Sequence, residues 1–181
     1  MTLAQRVLAA QVYALTLIFT VALSVPVAAA DRAETTAPTT TNQTTVVFVC
    51  EHGSAKSLVA AELFNRLARE RGVPVRALSR AVSAQTVDPK VPAALAKNMS
   101  GDGFDVGGFQ PQPVSAAEAK SATRVVIVNY DGEVAAAADA TTVERWNVGP
   151  AVTLEYQKAR DDIASRVGAL VDSLGRDAKA K

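Results

Sequence analysis

The chain has 181 residues, 19 basic and 18 acidic, and 49% of them are hydrophobic. That length holds one domain with an appendage, and that apolar share supports a packed core. Balanced charge without a basic stripe excludes a nucleic-acid partner. A single cysteine excludes an intrachain disulfide, and one histidine beside it cannot complete a metal site, so no metal or other cofactor is expected.

Residues 1–30 stand apart. Arg6 is their only charge, and an uncharged run from Val7 to Ala30 ends Val27-Ala28-Ala29-Ala30. A basic start, an apolar stretch and a small-residue end describe a secretory signal peptide cleaved after Ala30. The alternative is an uncleaved anchor, since the run reaches the ~20 residues that a membrane span needs. Either reading places the domain outside the cytoplasm, periplasmic or secreted, with a membrane contact only if the segment is retained. Without Arg6 the chain carries 18 basic and 18 acidic residues, a formal net charge of zero. Residues 31–44 are rich in Thr, Ala and Pro and read as a flexible tether.

A domain is expected over residues 45–175, followed by a charged tail over 176–181. Val46–Val49 is a continuous β-branched and apolar run, suited to a strand buried on both faces. Ser54–Arg71 reads as a helix with Val59, Leu63, Phe64 and Leu67 on one face, closed by Gly72. Val73–Leu78 is a second strand and Val91–Met99 a short helix. Ser115-Ala116-Ala117-Glu118 is a capping box that opens another helix. Val125–Val128 is a second fully apolar strand, and Thr142–Trp146 a weaker one. From Leu154, the spacing of Tyr156, Ile163, Val167, Leu170, Val171 and Leu174 predicts a long amphipathic helix. This alternation predicts an α/β fold, an open and mostly parallel four-stranded sheet with helices on both faces. Ligands of such sheets bind at the carboxyl ends of strands. Those ends are Cys50, Ser79-Arg80 and Asn129-Tyr130-Asp131.

Cys50 follows a buried strand and precedes a helix, so the intervening Glu51, His52, Gly53, Ser54 and Ala55 aim backbone N–H groups at one point beside the sulfur. Such a point binds an oxyanion. A thiolate there would face a phosphorus or arsenic centre. Lys56 on the first helical turn disfavours the helix N-terminus unless an anion is bound.

Cys50, five residues, Lys56 and Ser57 resemble the phosphate loop of the low-molecular-weight protein tyrosine phosphatases and the related thiol arsenate reductases. That loop reads Cys, five residues, Arg, then Ser or Thr. Further landmarks are Ser79-Arg80-Ala81, Val87-Asp88-Pro89, Phe104-Asp105-Val106, Val114-Ser115 and Trp146-Asn147-Val148-Gly149-Pro150. The resemblance implies a Cys50 nucleophile, a Ser57 hydroxyl that keeps it ionised, and phosphate, arsenate or a phosphomonoester as ligand. It implies hydrolysis of phosphotyrosine or an aryl phosphate through a phosphocysteine.

Two positions depart from the pattern. Lys56 keeps the loop arginine's charge but not its bidentate fork. Gly149-Pro150 stands where the family carries the Asp-Pro acid. Asp88-Pro89 is the only Asp-Pro in the chain and reads as a turn. Asp131 is expected as the substitute acid, with an Asp-Gly turn as the alternative. Arg80 is expected to reach the oxyanion, with a surface ion pair as the alternative. His52 could pair with Cys50, contact the anion, or shape the loop. Arsenate reductases that relay electrons through two further cysteines are excluded, so reduction would need an external thiol. A binding module without turnover and a redox-sensing thiol are the rival classes.

Overall fold

The computed structural model describes residues 44–180. The expected leader, and the tether except for Thr44, lie outside the described residues. Four strands form one sheet in the order β2-β1-β3-β4, every adjacent pair parallel. They are β1 (Thr44–Cys50), β2 (Val75–Ala81), β3 (Arg124–Val128) and β4 (Val143–Trp146). The helices are α1 (Lys56–Glu70), α2 (Ala93–Gly101), α3 (Ala116–Ser121) and α4 (Tyr156–Lys179), with a 3-10 turn over Ala135–Ala137.

Val46 to Val49 are fully buried because β1 is central and covered on both faces. Alternation then divides the strand. Val46, Phe48 and Cys50 face the larger core, with Leu58, Val59 and Phe64 of α1, Leu95 and Met99 of α2, and Ile163, Val167 and Val171 of α4. Phe48 anchors it, its ring 5.9 Å from Phe64 and 5.5 Å from Trp146. Val47 and Val49 face a smaller core with Ala119 of α3 and Ala137 of the 3-10 turn. The Ser115–Glu118 capping box forms with both of its bonds. Helix α4 continues to Lys179, so residues 176–179 of the expected tail are helical.

The strand order places the site. The chain leaves β1 toward β2 on one side, then crosses to β3 on the other. The connections from β1 and β3 therefore run in opposite directions and open a crevice at the carboxyl ends of these two strands. Cys50 ends one and Val128-Asn129 follows the other.

Candidate active site at the Cys50 loop

A cavity of about 300 Å³ occupies that crevice. Cys50, Glu51, His52, Ala55 and Lys56 line one side, and Val128, Asn129 and Ala151 to Thr153 the other. A larger cavity of about 590 Å³ lies at the amino end of the sheet, beside Thr44 and Thr123. It holds no thiol, so chemistry rather than size identifies the site.

Two buried hydroxyls stand behind the sulfur. Cys50 Sγ lies 2.9 Å from Ser57 Oγ, and the Ser79 hydroxyl donates to Ser57 Oγ at 2.9 Å. Ser57 and Ser79 are almost wholly shielded from solvent. With a sulfur anion the proton order follows: Ser79 donates to Ser57, and Ser57 donates to Sγ. The Gly53 carbonyl, 3.0 Å from Ser79 Oγ, is a second acceptor that competes with Ser57 Oγ for the single Ser79 proton.

Helix α1 opens beside the sulfur without a side-chain cap, and no acidic residue occupies its first turn. Its leading N–H groups are thus the donors that an oxyanion would satisfy. The loop reaches this shape through Gly53. Its φ is +72°, and an added Cβ would stand 2.6 Å from the Ala81 backbone nitrogen. Only glycine meets both demands. Ser54 is fully buried and donates its hydroxyl to Asp88 Oδ2. The Asp88 backbone N–H donates to the His52 carbonyl at 3.2 Å. Gly53 and Ser54 therefore brace the loop, and their side-chain positions lie outside the cavity lining. Asp88-Pro89, read from sequence as a turn, is a second brace.

Lys56 lines the cavity and donates Nζ to the Val148 carbonyl at 2.8 Å. An ammonium has three donors, so two remain for an anion. Burial pulls its pKa below the usual lysine value, while Asp162 and the Cys50 sulfur push it back up. The same carbonyl accepts from Asn129 Nδ2 at 3.0 Å, and Asn129 Oδ1 accepts from the Val148 N–H at 3.0 Å. Asn129 takes a positive φ of 49° to do this. Val148 is thereby the node that fixes the far wall opposite the sulfur.

Two expected site residues stand elsewhere. Arg80 does not reach the oxyanion. It pairs in register with Val49, so its side chain points to the smaller core. There it donates to Glu118 Oε1 at 3.0 and 2.5 Å and to its neighbour's carbonyl, Ser79 O, at 2.9 Å. Asp131 is exposed and lines a different hollow with Tyr130 and Arg145, not the Cys50 cavity. The left-handed turn at Asn129 redirects the chain before Asp131 is reached. At the family's acid position Gly149 is present, and its N–H donates to Asp162 Oδ2 at 3.0 Å. That bond, with Arg166, holds Asp162 below the usual carboxylate range.

Ser79, Asp88 and Asn129 are the residues that sequence reasoning missed as parts of the site. Ser79 and Asp88 lay within quoted landmarks, and Asn129 on a flagged strand end. Their polarity alone did not show which way they face.

Residues 45–149 match the family model described as low molecular weight phosphotyrosine protein phosphatase. No curated protein matches the chain significantly. Among solved structures, an arsenate reductase from Archaeoglobus fulgidus is 26% identical, with a TM-score of 0.57, covering 70% of this chain and 98% of its own. A low molecular weight protein tyrosine phosphatase from Bacillus subtilis is 18% identical, TM-score 0.60, covering 74% and 99%. The YwlE arginine phosphatase, in a form with a phosphorylated active-site serine, is 16% identical, TM-score 0.63, covering 76% and 99%.

Proposed function

The chain belongs to the low molecular weight phosphotyrosine protein phosphatase family, and from that premise we propose that it hydrolyses phosphomonoesters through a phosphocysteine at Cys50. The observation that carries this reading is the buried Ser79–Ser57–Cys50 chain, set against the uncapped start of α1. The chain supplies a hydrogen bond from Ser57 to a sulfur anion, the form that attacks phosphorus. The α1 N–H groups supply donors where the three phosphoryl oxygens would lie. Phosphotyrosine and aryl phosphates suit the apolar wall of Val128, Ala151 and Val152. We assign the protein to the periplasm or exterior, supported by Arg6 and the uncharged run from Val7 to Ala30. A reporter that matures only outside the cytoplasm, fused after residue 45, tests export.

A second reading is a module that holds phosphate or arsenate without turnover. It is favoured by Gly149 at the acid position and by the engagement of Lys56 with Val148. Arsenate reduction would require an external thiol, because Cys50 is the only cysteine. Hydrolysis of para-nitrophenyl phosphate by the protein and by Cys50→Ser decides between the two. Cys50-dependent turnover supports the enzyme. Absent turnover, with phosphate or arsenate still protecting Cys50 from iodoacetamide, supports the module.

A further inference from the structure

Phosphoryl transfer to a thiol leaves an oxyanion on the departing group, and a poor leaving group needs a proton at that moment. The family's acid position is glycine here, Asp131 lies outside the cavity, and Asp162 is committed to the Gly149 N–H and Arg166. Among the described residues, the titratable side chains lining the Cys50 cavity are Cys50, Glu51, His52 and Lys56. Cys50 is the nucleophile. Lys56 is tied to the far wall and supplies the positive charge.

His52 is held for a different task. Its Nδ1 lies 2.9 Å from the Thr86 carbonyl. A carbonyl only accepts, so Nδ1 carries a hydrogen and the ring's exchangeable proton sits at Nε2. Nε2 lies 3.8 Å from Glu51 Oε2, and the side chains of both residues are about half exposed on the cavity's open side. Asp88 Oδ1 stands 4.0 Å from Nδ1. Two carboxylates thus face the imidazole, Glu51 from its own loop and Asp88 from the segment before α2. Lys56 and Cys50 are the other charged or titratable groups on the same cavity. An imidazole anchored at one nitrogen and open at the other is the arrangement of a general acid.

We infer that His52 is the proton donor to the leaving group, with Glu51 as its positioning residue. This rests on the phosphatase reading of the Cys50 site. In the first step Cys50 Sγ forms a bond to phosphorus, the phosphorus–oxygen ester bond breaks, and the departing oxygen takes the Nε2 proton. In the second, neutral Nε2 takes a proton from water as its oxygen attacks phosphorus. The sulfur–phosphorus bond breaks, releasing phosphate and restoring the thiolate and the imidazolium.

The test compares phenyl phosphate, whose leaving oxygen needs the proton, with 2,4-dinitrophenyl phosphate, whose leaving oxygen does not. In His52→Gln, kcat/KM should fall about 30-fold or more further for phenyl phosphate than for the dinitrophenyl ester. A merely structural role for the loop would lower both alike, and equal losses overturn the inference. The wild-type pH profile reads the same point without dependence on that variant's folding. Activity on phenyl phosphate should fall more steeply toward high pH than activity on the dinitrophenyl ester, and Glu51→Gln should lower kcat for phenyl phosphate selectively. Parallel pH profiles for the two esters overturn the assignment. If wild-type protein hydrolyses neither ester, the phosphatase reading falls and takes this inference with it. Cys50-dependent hydrolysis with equal His52→Gln losses removes His52 alone.

Discussion

Cys50 ends β1 and Arg80 is the next-to-last residue of the neighbouring β2, yet one reaches the cavity and the other does not. In the parallel register Cys50 lies opposite Ala81, and Arg80 opposite Val49. Side chains alternate faces along a strand, so a one-residue offset sends Cys50 toward α1 and Arg80 toward α3. The first face carries a nucleophile, uncommitted helix N–H groups and a cation. The second carries a partly buried ion pair with Glu118. Proximity at the strand ends makes them neighbours, but parity gives them unrelated jobs.

Substitutions that separate the two faces sharpen this contrast. The largest effect is expected from Cys50→Ser, which should lower phosphatase turnover by about 1000-fold or more while the melting temperature stays near wild type. Gly53→Ala comes next. A positive φ and a Cβ set against the Ala81 nitrogen should cost about 2 kcal/mol or more in urea unfolding, and phosphate protection of the thiol should fail with it. Ser79→Ala leaves the Ser57 hydroxyl without its donor, and a loss of about 1 kcal/mol is expected. Iodoacetamide should then alkylate Cys50 more slowly at neutral pH, and unchanged alkylation would break the proposed link from Ser79 to the sulfur.

On the other face, Arg80→Ala should cost about 1–3 kcal/mol of stability through the lost charged hydrogen bonds. Its phosphate affinity should match wild type, and a clear loss of affinity would return Arg80 to the site. The same pair predicts an acid effect. Burial raises the Glu118 pKa, but the bonds from Arg80 and Ser115 outweigh it and leave it lowered. Its stabilising contribution is therefore full above the ordinary glutamate value of about 4.3 and is lost as pH falls through the lowered folded value. Glu118→Gln should flatten that limb of the stability–pH curve without altering turnover at neutral pH. The smallest change is expected from Asp131→Asn, whose kinetics should match wild type.

The parts read correctly from sequence were those whose signal is local. Val46–Val49 and Val125–Val128 are apolar on both faces, which only a covered central strand requires. The capping box at Ser115 needs two side chains three residues apart. The α4 stripe repeats over several turns. Strand β2 was less legible. It was expected over Val73–Leu78 and runs from Val75 to Ala81. Its far end is polar at Ser79 and Arg80, and only pairing with β1 keeps it extended. Helix α1 was expected from Ser54 and begins at Lys56, because Gly53 to Ala55 are spent on the loop.

The sequence by itself determined the layered parallel sheet, the thiol at a strand end, and the run of N–H donors after it. Each follows from spacing within a dozen residues. Tertiary structure decided which distant groups complete the site. Ser79 turned inward to Ser57, Asn129 clamped Val148, Asp88 braced Ser54, and Arg80 turned away to Glu118. Partners lying 19 to 38 residues apart meet only through strand register and loop closure. Neither quantity is carried by the polarity of any one residue.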